Sequence, residues 1–130
     1  MDIVFLDASV LFSAAYRSGA KVAKLWAVRE VRLVTSPYAA AEAERNLAES
    51  AQRDRLTELL RLVEMAPAAG EQLPEGVSLP DKDAPILQAA IAAGATHLLP
   101  SDLRHFGPYF WQIIEGVTIL PPAAYLKGKV

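Results

Sequence analysis

Residues 3–11 read IVFLDASVL, and this stretch decides the fold of the chain. Its first four residues are apolar and partly β-branched, which is typical of a short strand buried on both faces. Asp7 ends the strand and Ser9 is of a type that caps helices, so a helix is expected to follow until Ser18 and Gly19 stop it. A buried strand that leads directly into a helix is the first half of a βαβ unit in a parallel sheet.

The rest of the chain repeats this alternation. Ser36 and Pro37 form a strong helix start, because serine caps free amides and proline in the first turn loses no hydrogen bond. Helices are predicted over residues 10–17, 21–30, 39–50, 52–65 and 81–94, strands over 3–6, 31–35, 77–79, 96–99 and 117–120, a loop over 66–76, and a loop or short helix over 106–115. We therefore expect an α/β fold, a three-layer α/β/α sandwich with a mostly parallel central sheet, formed by a single domain over residues 1–130.

The composition narrows the possible functions. Of the 130 residues 52% are hydrophobic and 22% are charged, which excludes a disordered or fibrous chain. Because the chain has no cysteine, disulfides, thiolate zinc sites, iron–sulfur clusters and cysteine nucleophiles are excluded. No signal peptide and no membrane span is recognisable, so we expect a cytoplasmic protein. The formal net charge of −2 argues against a uniformly basic nucleic-acid surface, so any polyanion must bind at a local site.

Four acidic residues are predicted to lie at one edge of the sheet, where open α/β folds bind ligands. Asp7 and Asp102 end strands, Asp83 begins a helix that follows a strand, and Glu42 lies within two turns of its helix start. Each alone is explained equally well as a helix cap. Together, two carboxylates ~4 Å apart would repel by about 4 kcal/mol at an effective dielectric of ~20, so a cation or protons must lie among them. An all-oxygen cluster suits Mg²⁺ or Mn²⁺, which activates water and draws in phosphate oxygens.

The sequence lacks the motifs of several other enzyme classes. There is no Gly-x-Ser-x-Gly elbow for a serine hydrolase, and no glycine-rich dinucleotide or P-loop signature. A phosphate-transferring Asp-x-Asp pair would need a second aspartate where Ser9 stands. His97 lies inside a predicted strand and is expected to be structural. The aromatic residues at positions 106, 109, 110 and 111 are expected to pack or to form a dimer contact rather than to stack on bases.

Four motifs in this order resemble the PIN-domain family: LDASVL at 6–11, SPYAAAE at 36–42, DAPILQAA at 83–90 and LPSDLRHF at 99–106. The similarity covers nearly the whole chain and ends at GVTILPP, residues 116–122. It implies a ribonuclease that cleaves RNA with Mg²⁺ or Mn²⁺. Small single-domain bacterial members are often toxins of the VapC type, paired with an antitoxin protein, and the family also suggests a homodimer.

The resemblance implies roles for particular residues. The acidic tetrad that binds metal and catalyses cleavage corresponds to Asp7, Glu42, Asp83 and Asp102. Asp7 and Asp102 would be the principal ligands, whereas Glu42 and Asp83 would hold a second ion or position the attacking water. The residues expected to support the site are Ser9 beside the first aspartate, Ser101, and Arg104, whose side chain either meets an RNA phosphate or lies at the surface.

Two positions leave alternatives open. Asp81 also lies beside the helix start, although the match to Asp-Ala-x-Ile-Leu favours Asp83. Pro100 stands where members of the family commonly have threonine or serine, and proline offers neither a hydroxyl nor an amide proton. The alternative function is therefore a PIN-like domain that binds RNA or a protein without cutting.

Overall fold

The strands of the chain form one six-stranded sheet in a computed structural model that describes residues 1–67, 72–100 and 102–129. In chain order the strands are β1 (Asp2–Leu6), β2 (Val31–Thr35), β3 (Glu64–Met65), β4 (His97–Leu99), β5 (Ile113–Ile114) and β6 (Val117–Ile119). Their order across the sheet is β3-β2-β1-β4-β6-β5. Neighbouring strands are parallel except for β5 and β6, which are antiparallel. The predicted α/β fold with a mostly parallel sheet is confirmed.

Helices flank this sheet and connect its strands. They are α1 (Ala8–Tyr16), α2 (Pro37–Asn46), α3 (Ser50–Leu60), α4 (Ala84–Ala92), α5 (Leu103–Phe106) and α6 (Pro122–Lys127), with 3₁₀ helices at Lys21–Ala27 and Gly107–Tyr109. The predicted start at Ser36 is confirmed, since its hydroxyl oxygen accepts a hydrogen bond from the Ala39 amide at 3.1 Å. In the described part of the chain, every helix is too short or too polar to cross a membrane.

The centre of the core is β1, which lies between β2 and β4. Val4, Phe5 and Leu6 have no exposed surface, and burying such side chains stabilises a fold by about 1.5–3 kcal/mol each. At the carboxyl end of β1, the buried Thr35 hydroxyl donates a 2.8 Å hydrogen bond to the Leu6 carbonyl. This bond holds the ends of β1 and β2 together, and the edge they form therefore presents the next residue, Asp7, in a fixed position.

Some predicted elements are wrong. Residues 77–79 form no strand, because the backbone of Ser78 bonds to the Tyr109 hydroxyl instead. The Ser78 amide donates to this hydroxyl at 2.8 Å, and the hydroxyl donates to the Ser78 carbonyl at 3.0 Å. The helix predicted to reach Met65 ends at Leu60, and Glu64–Met65 is the strand that pairs with β2. Both residues of that edge strand are exposed, so they lack the apolar run by which the other strands were recognised. Strand β5 and helix α6 were not predicted.

Three of the four aromatic residues at positions 106–111 pack in the fold, and the fourth is exposed. Phe106 has no exposed surface, and Tyr109 and Phe110 pack against the core. Trp111 is 70% exposed and has a φ of +73°, a left-handed backbone that is uncommon for a bulky residue. His97, expected to be structural, contacts the Thr96 hydroxyl at 2.8 Å through Nδ1 and lies edge-on to the ring of Tyr125.

Candidate active site

A cleft of about 370 Å³ opens where the parallel strands end. It is lined by the four acidic residues that the sequence singles out, namely Asp7, Glu42, Asp83 and Asp102. They come from four separate segments: Asp7 follows β1, Glu42 lies in α2, Asp83 directly precedes α4, and Asp102 directly precedes α5. The fold therefore gathers all four side chains around one volume.

Asp7 is held by the start of α1. Its Oδ1 accepts a hydrogen bond from the Ala8 amide at 2.6 Å, and its Oδ2 accepts one from the Ser9 hydroxyl at 3.2 Å. We expected Ser9 to cap this helix, but the cap is Asp7, because Asp7 is the residue with extended backbone angles. Ser9 instead contacts the aspartate, as the motif comparison implied.

The charge of Asp7 is costly in this position. The side chain is 5% exposed, and burial raises the pKa of Asp7 from 3.8 to about 6. This value is a net result, in which the hydrogen bonds from Ala8 and Ser9 lower the pKa and the negative charges of Asp83 and Glu42 add a smaller rise. At neutral pH the carboxylate is ionised in surroundings that disfavour its charge, and a cation would relieve this cost.

Glu42 is half-buried on the first turns of α2. Asn46, one turn later, donates a 2.9 Å hydrogen bond from Nδ2 to the Glu42 main-chain carbonyl and so does not orient the carboxylate. Near the start of the same helix, the hydroxyl of Tyr38 donates a 2.9 Å hydrogen bond to the Lys82 carbonyl. This bond joins α2 to the segment that carries Asp83, and it sets the position of Glu42 relative to the other acids.

Asp83, Asp102 and His105 form the most compact group in the site. Each offers one possible ligand atom, and these atoms lie within 4.8 Å of one another. Nδ1 of His105 is 2.6 Å from Oδ2 of Asp83 and 2.9 Å from Oδ2 of Asp102. The other carboxylate oxygen of Asp102 accepts hydrogen bonds from the amides of Arg104, at 2.9 Å, and His105, at 3.2 Å.

The two aspartates of this group have opposite electrostatic environments. Burial raises the pKa of Asp83, and the positive charges of His105 and Lys82 only partly oppose that effect. Burial is the largest single effect on the pKa of Asp102 and raises it, but the amides of His105 and Arg104 together with the nearby positive charges lower it more, so this pKa lies below its usual value. Asp102 is thus stabilised as a carboxylate, whereas Asp83 gains from a positive neighbour.

The family model for the PIN domain matches residues 3–104, which is more than half of the chain. The chain belongs to the PIN-domain family. A chain in the crystal structure of VapBC2 from Rickettsia felis bound to a DNA fragment from their promoter has a TM-score of 0.62 with this PIN domain at 13% identity, covering 92% of this chain and 98% of that chain. At that identity the likeness shows the fold alone. No curated protein matches the sequence significantly.

The donor atoms of this PIN domain fit a divalent cation. Oδ2 of Asp83 and Nδ1 of His105 are shielded from solvent, and in the described residues neither has an aligned hydrogen bond although they lie 2.6 Å apart. Buried polar atoms without aligned partners are costly, and coordination by a cation would satisfy them. One oxygen of Asp7 and one of Asp102 are fixed by main-chain amides, so these carboxylates would need little reorganisation to hold a cation.

The other positions that the sequence singled out lie in different environments. Asp81 is exposed and does not line the cleft, whereas Asp83 does. The Arg104 side chain is exposed, and its contact with Asp102 is made by its main-chain amide. Ser101, predicted to support the site, lies outside the described residues, and Pro100 is buried directly after β4.

We did not predict that His105 would contact the carboxylates. The sequence did hold a signal: an aspartate three residues before a histidine, at the start of a helix, places both side chains on the same face of the first turn. The signal was weak because the pattern is common, and only the position of Asp83 in space makes the histidine part of the group.

Proposed function

We propose that this PIN domain is an endoribonuclease that hydrolyses RNA phosphodiesters with Mg²⁺ or Mn²⁺, acting as a single domain over residues 1–130. The observation that carries the proposal is that Asp7, Glu42, Asp83 and Asp102, from four segments, line one cleft. Such a concentration of negative charge needs compensation by cations, and in the described residues Lys82 is the one basic side chain that lines the cleft.

The metal would be held by the carboxylates whose orientation the backbone already restrains. Asp7 and Asp102 are the principal ligands in this proposal, because amides of the following helices fix one oxygen of each. Glu42 and Asp83 hold a second ion or position the attacking water. When bound, the metal supplies a water activated for attack on phosphorus and neutralises charge that develops on the phosphate. The Ser9 hydroxyl restrains the second oxygen of Asp7 by a hydrogen bond.

The basic side chains near the cleft would contact the RNA backbone. Lys82 lines the cleft, and the exposed Arg104 follows Asp102, so both cations lie beside residues proposed to hold the metal. Such contacts with phosphates position the strand without reading its sequence. We propose the same kind of supporting role for Ser101, because it adjoins Asp102 in the sequence.

Mn²⁺ is the ion that the donor atoms favour. Mg²⁺ takes oxygen ligands in near-ideal octahedral geometry, whereas transition-metal ions also accept imidazole. Nδ1 of His105 lies within ligand distance of the group formed by Asp83 and Asp102, so the site offers one nitrogen beside its oxygens. An enzyme of this kind would be active with both ions and more active with Mn²⁺.

The test is cleavage of a single-stranded RNA with Mn²⁺ by the wild type and by the Asp7→Asn variant. Asparagine keeps the size of the side chain and can still accept the Ala8 hydrogen bond, so the substitution removes chiefly the charge. The Asp81→Asn variant is the matched control, because Asp81 is an exposed aspartate outside the cleft. Loss of cleavage in Asp7→Asn alone is expected, and equal activity in Asp7→Asn and the wild type would refute the proposal.

A second candidate function is binding of RNA or a protein without cleavage. The observation that favours it is the position of the His105 imidazole, which contacts Asp83 and Asp102 and offers them a positive charge without metal when it is protonated. The lack of a hydroxyl and an amide proton at Pro100 points the same way. Titration with Mn²⁺ separates the two functions: if millimolar metal does not raise the melting temperature, the binding module is the better description.

We further propose that the protein is the toxin of a type II toxin–antitoxin pair, with an antitoxin protein as its partner. The fold shared with a chain of the VapBC2 complex and the size of the chain support this role. Growth arrest on expression, relieved by co-expression of the neighbouring gene, is the expected result, and normal growth would leave an RNA-processing nuclease. Light scattering tests the accompanying proposal of a homodimer.

A further inference from the structure

A second groove adjoins the cleft along helix α1. It has a volume of about 310 Å³, and Phe12, Tyr16, Arg17 and Lys21 lie in its wall; we name it the α1 groove. Phe12 lines both the cleft and the α1 groove, so the two are neighbours on the surface. Ser9, Phe12 and Tyr16 recur at helical spacing and form one stripe of α1, which rises about 10 Å from the first to the last. The stripe thus leads from Asp7 directly into the α1 groove.

The α1 groove contains two aromatic rings, of which Phe12 is half-buried against the core and Tyr16 is exposed. The ring centroids of Phe12 and Tyr16 are 5.3 Å apart with an angle of 38° between the planes, and Tyr16 is 54% exposed. An exposed ring of this kind is a surface on which any nucleic-acid base can stack, since every base has a π face.

The helix that carries these rings is fixed at its end. The Tyr16 carbonyl accepts a 3.1 Å hydrogen bond from Nε2 of Gln52, and the Ala15 carbonyl accepts one of 2.6 Å from the guanidinium of Arg55. Both donors belong to α3, and Gln52 is buried. The rings therefore project from a helix whose last turn is anchored to its neighbour, which lowers the entropy lost when a ligand binds.

The charge of the α1 groove is opposite to that of the cleft. The described residues that line the α1 groove include the exposed cations Arg17 and Lys21 and no acidic residue, whereas four carboxylates line the cleft. With a net charge of −2, the chain as a whole does not attract a polyanion. If one phosphate of a nucleic-acid strand enters the cleft, the cations of the α1 groove would attract the phosphates that follow it.

We propose that the α1 groove binds the single-stranded RNA that continues beyond the cleft, with bases stacked on Phe12 and Tyr16 and phosphates paired with Arg17 and Lys21. The proposal rests on the proposed ribonuclease function, because it assigns the groove to the same substrate. The α1 groove suits an unpaired strand, since bases of a duplex are paired and not free to stack on a protein ring.

The test measures RNA affinity separately from cleavage. Binding of a short fluorescein-labelled single-stranded oligoribonucleotide is followed by anisotropy with Mg²⁺ in an Asp7→Asn background. Tyr16→Ala is expected to weaken binding about tenfold and Tyr16→Phe to restore it, since stacking requires only the ring. Arg17→Gln is expected to reduce the slope of log affinity against log salt by about 0.7. Lys24→Gln, an exposed cation outside the α1 groove, is the control and leaves the slope unchanged.

The second part of the test measures RNA cleavage by variants that carry the same substitutions but retain Asp7. Tyr16→Ala is expected to raise KM about tenfold with kcat unchanged, because the ring acts in binding and not at the reacting phosphate. If Tyr16→Ala and Arg17→Gln bind RNA as tightly as their background, the proposal is overturned and the α1 groove is left as a protein-docking face. If both variants lose affinity but the wild type cleaves no RNA, the RNA-binding groove is supported and the ribonuclease function fails.

Discussion

Nδ1 of His105 lies 2.6 Å from Oδ2 of Asp83, although Asp83 precedes strand β4 in the chain and His105 follows it. The imidazole also lies 2.9 Å from Oδ2 of Asp102, so it connects two of the four predicted acids. Both contacting atoms of the His105–Asp83 pair are shielded from solvent. If the site binds a metal as proposed, this pair would supply a nitrogen donor.

Replacing His105 with alanine is expected to weaken Mn²⁺ binding about tenfold and to change Mg²⁺ binding much less. The reason is that the substitution removes the nitrogen donor while it leaves the carboxylate oxygens, which are the ligands that Mg²⁺ prefers. Calorimetric titration of each ion at fixed pH measures the difference. His97→Gln serves as the control, because His97 contacts Thr96 and Tyr125 and does not line the cleft.

A His105→Ala variant that binds Mn²⁺ as tightly as the wild type, or more tightly, would contradict the ligand role. The imidazole would then be a group that only fills the space between the carboxylates. Its removal would still leave the buried Oδ2 of Asp83 without the imidazole that contacts it, so the free energy of unfolding in EDTA is expected to fall by about 1–3 kcal/mol in either case.

Asp83→Asn is expected to lower kcat by about 100-fold or more, whereas Asp81→Asn retains activity within about twofold. The two aspartates are two positions apart, but Asp83 is 8% exposed and lines the cleft, while Asp81 faces solvent. Initial rates of RNA cleavage with Mn²⁺ check the prediction, with circular dichroism to confirm that both variants are folded. If Asp81→Asn loses the activity and Asp83→Asn keeps it, the assignment of the tetrad is wrong.

Asp7 is expected to make the metal-free protein less stable as the pH rises from about 4 to about 6. Its pKa is 3.8 in the unfolded chain and about 6 in the fold, mainly because the carboxyl is buried, so in this window the native state binds more protons than the unfolded state. The stabilising effect is complete below pH 3.8 and is lost above about pH 6. A shift of about two pKa units corresponds to a change of about 3 kcal/mol in the free energy of unfolding across this pH range.

Urea unfolding of the wild type and Asp7→Asn in EDTA, at several pH values between 4 and 7, measures this contribution. The free energies of the two proteins are expected to differ increasingly in favour of Asp7→Asn as the pH rises, because the amide does not ionise. The comparison isolates Asp7 from Asp83, whose pKa burial also raises and which both proteins retain. Parallel curves for the two proteins would show that Asp7 is not the group responsible.

Ser9→Ala is expected to move the acidic limb of the pH–activity profile to higher pH, with a smaller effect on the rate at pH 8. The Ser9 hydroxyl donates to Oδ2 of Asp7 and favours its charged form, so removal of the hydroxyl raises the pKa of Asp7 further. The control is Ser18→Ala, which changes an exposed turn after α1. A profile of Ser9→Ala that coincides with that of the control would exclude the hydrogen bond as a determinant of this pKa.

Much of the fold was predictable because its signals are local. The apolar run before Asp7 and the capped start at Ser36 are properties of a few adjacent residues, and the strand and the helix start form where they were expected, although α2 ends at Asn46 and not at residue 50. The edge strand at Glu64–Met65 was not predictable in this way, because both residues are exposed and are ordered by pairing with β2. Residues 77–79 are apolar enough for a strand, but the backbone of Ser78 bonds to the Tyr109 hydroxyl instead.

By itself, the sequence determined that this protein is a cysteine-free α/β chain with a mostly parallel sheet, and it identified four acids at the ends of elements that meet at one edge. That much follows from periodicity, caps and the rule that parallel strands share a carboxyl edge. Only the tertiary structure decided that Asp83 rather than Asp81 faces the cleft, that His105 joins the acids, and that burial raises the pKa of Asp7 to about 6. The physical reason is that Coulomb forces, ligand geometry and desolvation depend on distances between segments far apart in the chain, which no local pattern of residues specifies.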